Sequence, residues 1–77
     1  MEIRNTRDRR DVLEIYRWSI AQSLRGDCQQ VPHWDAGSPW HNTLFHHRAS
    51  GKQWVVYLAD QAWPGEVRLL DSSTAAT

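Results

Sequence analysis

The chain reads as an α+β domain: one amphipathic helix laid across a three-stranded antiparallel meander, in the order αβββ, with a long tryptophan-bearing loop. Three observations predict this. Helical apolar spacing runs through residues 7–25. Two segments that read as strands, 43–48 and 53–59, are joined by Ala49-Ser50-Gly51-Lys52, a connection of the length and composition of a hairpin loop. A proline–glycine pair, Pro64-Gly65, then leads into a last apolar run at 66–70. Two layers are what these elements need to bury their apolar faces.

Residues 1–6 form a lead-in whose Ile3 either adds a brief edge strand or docks on the core. In the helix, Val12, Leu13, Tyr16, Ile20 and Leu24 fall within a stripe about 120° wide, with Ile15 beside it. Asn5 or Thr6 is the expected cap, Asp8 and Asp11 suit the positive helix end, and Gly26 suits the terminating position. Trp18 breaks the pattern by falling among Asp11, Glu14 and Arg25. Either a loop folds over it, or it is an exposed aromatic anchor for a partner.

Residues 27–42 show no periodicity, and Pro32, Gly37 and Pro39 oppose a continuous helix or central strand. The segment reads as an irregular loop, and Trp34 and Trp40 predict that it packs on its own side chains rather than being disordered. Pairing Arg48 with Gln53 puts Thr43, Phe45, His47, Trp54, Val56 and Leu58 on the face that receives the helix. Leu44, His46, Val55 and Tyr57 lie on the other face. That face is open to dimerise, to bind a partner, or to be covered by the 27–42 loop. Residues 1–70 thus form one domain, and 71–77, DSSTAAT, read as a flexible polar tail.

At 77 residues the chain holds one domain, and its five tryptophans supply the dense core that so short a chain requires. Nine Lys/Arg balance nine Asp/Glu, which argues against a general nucleic-acid coat. A lone cysteine, Cys28, excludes an intrachain disulfide. The charged N-terminus does not resemble a signal peptide, and no apolar run approaches the ~20 residues of a membrane span, so a cytoplasmic protein is expected.

Four chemistries bear on these residues. Cys28, His33, His41, His46 and His47 are zinc-type ligands, but the spacing Cys-x4-His-x7-His-x4-His-His fits no structural zinc motif, and no metal or other cofactor is expected. His33-x-Asp35 and His41-Asn42, with His46 or His47, suggest a two-histidine site of the kind that cleaves RNA without metal. Arg4, Arg7, Arg9 and Arg10 crowd the helix start, where phosphates meet both arginines and free N–H groups, although Glu2, Asp8, Asp11 and Glu14 interleave with them. Protein binding needs only a surface rich in Trp, Tyr and Arg.

The leading expectation is a small non-enzymatic accessory protein that occupies a surface of a larger protein or complex, with Arg17, Trp18, Arg25, Trp34 and Trp40 as contacts. In size and style it is similar to small phage or mobile-element inhibitors of host machinery, including anti-CRISPR and antitoxin-like proteins. A homodimer through the open sheet face is a further expectation. The alternatives are a nucleic-acid-binding regulator using the N-terminal arginines and a small histidine-dependent ribonuclease-like enzyme.

Overall fold

A computed structural model describes residues 2–59 and 61–70. The helix α1 spans Arg9–Leu24, followed by strands β1 (Cys28–Pro32), β2 (Asn42–His47), β3 (Gln53–Tyr57) and β4 (Glu66–Leu70). All neighbouring strands are antiparallel, in the order β1-β2-β3-β4. The class is α+β, but the sheet has four strands, not three. The additional strand lies inside 27–42, which is therefore not irregular throughout. Its sequence, CQQVP, buries only its first residue, so alternation could not reveal it. What makes it a strand is β2, whose second edge offers backbone groups that β1 satisfies. Residues 71–77, expected to be a tail, lie outside the described residues.

Asp8, not Asn5 or Thr6, caps α1: its Oδ1 accepts from the Asp11 N–H at 3.0 Å. At the other end Gly26 takes φ 86°, its N–H donates to Ser23 O (3.1 Å), and Asp27 N–H donates to Gln22 O (2.9 Å). This paired closure needs the left-handed residue that glycine supplies most cheaply.

The buried face of α1 is turned about a quarter revolution from the one the apolar pattern predicts. Val12, Ile15 and Ser19 are buried, Tyr16, Trp18 and Ile20 pack beside them, and Leu13 and Leu24 face solvent, Leu24 at 82% exposure. Ser19 is the reason. It is polar, so hydropathy places it outside, yet its Oγ donates to Ile15 O (2.6 Å) and accepts from Trp54 Nε1 (2.9 Å). With its polar atom satisfied, a small serine lets the helix approach the Trp54 ring closely.

The helix-facing core contains Phe45, Trp54, Val56 and Val67, with Leu58 alongside, as the strand alternation predicts. The register differs: Phe45 lies opposite Trp54 and Thr43 opposite Val56, with the turn at Arg48–Gly51. That is a shift of two positions, which preserves both faces. Gly51 at φ 76° donates its N–H to His47 O (2.9 Å), and His47 Nδ1 contacts Ser50 Oγ (2.8 Å) and accepts from Ser50 N–H (3.3 Å), which locks the turn at this position.

The opposite sheet face is closed over its centre. Trp40 and Trp63 stack at 4.8 Å between ring centroids and, with Leu70, cover Leu44, Val55 and Tyr57. The surface expected to support a homodimer is therefore a second core. Covering by the 27–42 segment does occur, but Trp40 shares it with Trp63 from the β3–β4 connection. Gly65 (φ 88°) lets that connection pass close to β3, since a Cβ there would sit 2.7 Å from Tyr57 O. The lead-in docks twice: Ile3 packs on the core, and Thr6 pairs with Val67.

Candidate interaction surface

Asn42 organises the 33–41 connection. Its side chain is buried; Oδ1 accepts from Asp35 N–H (2.8 Å), while Nδ2 donates to Asp35 O (3.1 Å) and Trp40 O (2.9 Å). Ser38 tightens the same turn, its N–H donating to Asp35 O (3.1 Å) and its Oγ accepting from Trp40 N–H (3.1 Å). Tyr57 Oη donates to Asp35 Oδ2 at 2.9 Å. Burial raises the Tyr57 hydroxyl pKa, the Asp35 hydrogen bond and charge raise it further, and the Arg68 guanidinium 5.4 Å from the ring centroid opposes them.

This clamp separates the two tryptophans of the segment. Trp40 turns inward onto Trp63, whereas Trp34 stays 43% exposed. Val31 precedes it on β1, also exposed, and Gln29, Gln30 and Pro32 are exposed as well. His33, in the left-handed region at φ 54°, turns the chain out of β1 and brings its ring to 5.9 Å from that of His41.

The other expected contact residues are dispersed. Trp18 is half-buried, 6.1 Å from the Trp54 ring, and lines a groove of about 180 Å³ with Ile3, His47, Ser50, Lys52 and Trp54. Its neighbours there come from the lead-in and the sheet, not from the 27–42 segment. Arg17 is exposed, and Arg25 lies 3.7 Å from Asp27. Of the five expected contacts, only Trp34 and Trp40 share a loop, and they point to different environments.

The N-terminal arginines are largely engaged within the chain. Arg4 pairs with Asp11 (2.8 Å), Arg7 with Glu66 (3.8 Å), and Arg9 Nη2 donates to Trp63 O (3.3 Å). Arg10 is exposed and shares a broad hollow with Asp8, Arg9, Asp11 and Leu13, a lining of mixed charge. The helix N-terminus beside it already has a carboxylate cap in Asp8.

The histidines divide into separate places. His33 and His41 meet at one end of β2, while His46 and His47 lie about 16–20 Å along the strand from His41. His46 points to the outer face and His47 to the groove beside Trp18. Cys28 packs in the helix-facing core; burial raises its pKa, the charge of Asp27 adds to this, and Arg48 opposes it. Among the described residues no three His, Cys, Asp or Glu side chains are grouped to hold a metal ion, and no helix is long and apolar enough to cross a membrane.

Sequence reasoning named Trp34, but it placed Asn42 beside His41 in a possible two-histidine site and missed that its side chain holds the Trp34 loop. The only signal was an asparagine at the start of a β-rich run, a position common to many turns. Compared with known proteins, the chain matches no family model, no curated protein and no solved structure.

Proposed function

We propose that this chain is a small binding protein that acts by occupying a surface of a larger protein, with Trp34 at the centre of its contact. The observation that carries this reading is an exposed indole on an immobilised loop. Tryptophan is enriched among residues that dominate interface energy, and a loop backbone already held in place loses little conformational freedom on binding. Trp18 and Trp40 contribute to packing, so their substitution acts first on the fold. The mechanism is steric and requires no reacting group. The nucleic-acid reading has less support, because Arg4 and Arg7 are paired with carboxylates, which reduces the local positive field.

The test begins with capture of partners on the full chain after nuclease treatment, followed by affinity measurement with the purified partner. Trp34→Ala is expected to weaken binding about 30-fold, the loss of a hot-spot residue, while leaving the thermal midpoint nearly unchanged. Equal affinity of the two proteins would remove Trp34 from the contact and the reading with it.

A further inference from the structure

We infer that β1 is a docking edge at which an extended segment of a protein partner adds as a fifth strand beside Trp34. The inference rests on the binding reading above and specifies its geometry.

The direction of each β1 backbone group follows from two hydrogen bonds at the strand ends. His33 N–H donates to Asn42 O (2.8 Å), and Arg48 N–H donates to Asp27 O (3.0 Å). Both couples continue the β1–β2 register. In an antiparallel ladder, bonded and non-bonded couples alternate, so 27, 29, 31 and 33 turn their backbone groups toward β2. Residues 28, 30 and 32 turn theirs away. The β2–β3 bonds agree: His47 N–H to Lys52 O and Leu58 N–H to His41 O assign the odd residues of β2 to β3, leaving the even ones for β1.

The two outer edges of the sheet are treated differently. On β4 the outward residues are Val67 and Leu69. Thr6 and Val67 exchange both backbone bonds (3.0 and 2.8 Å), and Leu69 N–H donates to Asn5 Oδ1 (2.6 Å). The lead-in thus occupies that edge. Among the described residues nothing equivalent occupies β1. Cys28 is closed off by its own burial, at 3% exposure. Gln30 is exposed, and its outward N–H and C=O have no partner among the described residues; the Pro32 carbonyl is in the same position. Pro32 loses nothing within the sheet by lacking an N–H, because that position faces away from β2.

The same pattern decides between a second copy and a different protein. Two copies paired about a twofold axis at Gln30 would set each Pro32 opposite a buried Cys28. Only the reciprocal Gln30 couple would then form. Paired about Val31 instead, each Gln30 N–H would meet the Pro32 carbonyl of the other copy, and both Gln30 carbonyls would stay unpaired because proline has no N–H. A strand from another protein can satisfy both Gln30 groups and also donate to the Pro32 carbonyl. Such a short edge, ended by proline, resists pairing with its own kind. The side chain opposite Val31 would lie on the outer face beside that exposed valine, and Trp34 lies just beyond the strand end. The fitting partner is an extended segment carrying an apolar residue at that place, held by main-chain bonds in the strand-addition mode.

The probe is a synthetic peptide obtained by selecting a displayed random library on the full chain. Hydrogen exchange of the isotope-labelled protein is then followed with and without it. The Gln30 amide is expected to gain at least about tenfold protection, and both Gln30→Pro and Trp34→Ala to weaken peptide binding about tenfold or more. If Trp34→Ala weakens binding while Gln30 stays unprotected and Gln30→Pro binds normally, the edge proposal falls and the Trp34 reading stands. If neither substitution matters, both fall. Selection that yields no peptide protecting Gln30 also overturns the edge. Should Gln30→Pro not fold, exchange at Gln30 in the native chain decides by itself.

Discussion

The indole N–H of Trp54 donates to Ser19 Oγ at 2.9 Å, and Ser19 donates in turn to Ile15 O at 2.6 Å. Ser19 and Trp54 are both buried, so this short chain of bonds ties the middle of α1 to the middle of β3 through polar atoms with no access to water. It also sets the rotation of α1 about its own axis, which decides that Leu24 faces solvent and Trp18 lies against the sheet.

Ser19→Ala leaves the Trp54 N–H buried without an acceptor. The expected loss is about 1–3 kcal/mol in urea or guanidinium unfolding. Trp54→Phe combined with Ser19→Ala should cost less than the sum of the two single changes, because the orphaned donor is gone. A Ser19→Ala loss within about 0.5 kcal/mol, the range of an ordinary surface change, would show that the bond does not set the packing.

Asn42→Ala removes three hydrogen bonds that hold the 33–41 connection. At about 0.5–1.5 kcal/mol each, the expected loss is about 1.5–4.5 kcal/mol. Amide exchange should rise most at Asp35, whose N–H loses its acceptor. Asn42→Asp keeps the acceptor for Asp35 N–H but loses both donors, so it should not restore stability. Exchange in the loop that matches wild type would instead assign its order to the Trp40–Trp63 stack alone.

Alkaline pH should destabilise the fold. Cys28 and Tyr57 are acids kept neutral by burial, and both folded pKa values are raised above ordinary values of 9.0 and 10.0. In the folded state each holds its proton to higher pH than in the unfolded chain. Their contribution is therefore complete below about pH 9 and is lost as pH rises through the folded values. The urea midpoint should hold steady between pH 7 and 9 and fall above that range. Cys28→Ala and Tyr57→Phe should each flatten the decline relative to their own neutral-pH stability. A midpoint that does not change up to pH 11 would contradict the burial of both groups.

Read as sequence alone, this chain determines its class and the inward faces of its strands. Phe45, Trp54, Val56 and Val67 alternate with polar or outer-face residues, and a period of two survives even where the register moves by two. Helical spacing and Gly26 likewise mark α1 and its end. Tertiary structure decides the rest, because those features depend on partners distant in the chain. Ser19 becomes a core residue only where Trp54 supplies a donor, and CQQVP becomes a strand only where β2 presents an edge. Trp40 is interior because Trp63 meets it, whereas Trp34, six residues earlier in the same segment, remains at the surface. Local pattern records the periodicity of a residue's own element, and it carries no information about the polar group or ring that the fold brings to meet it.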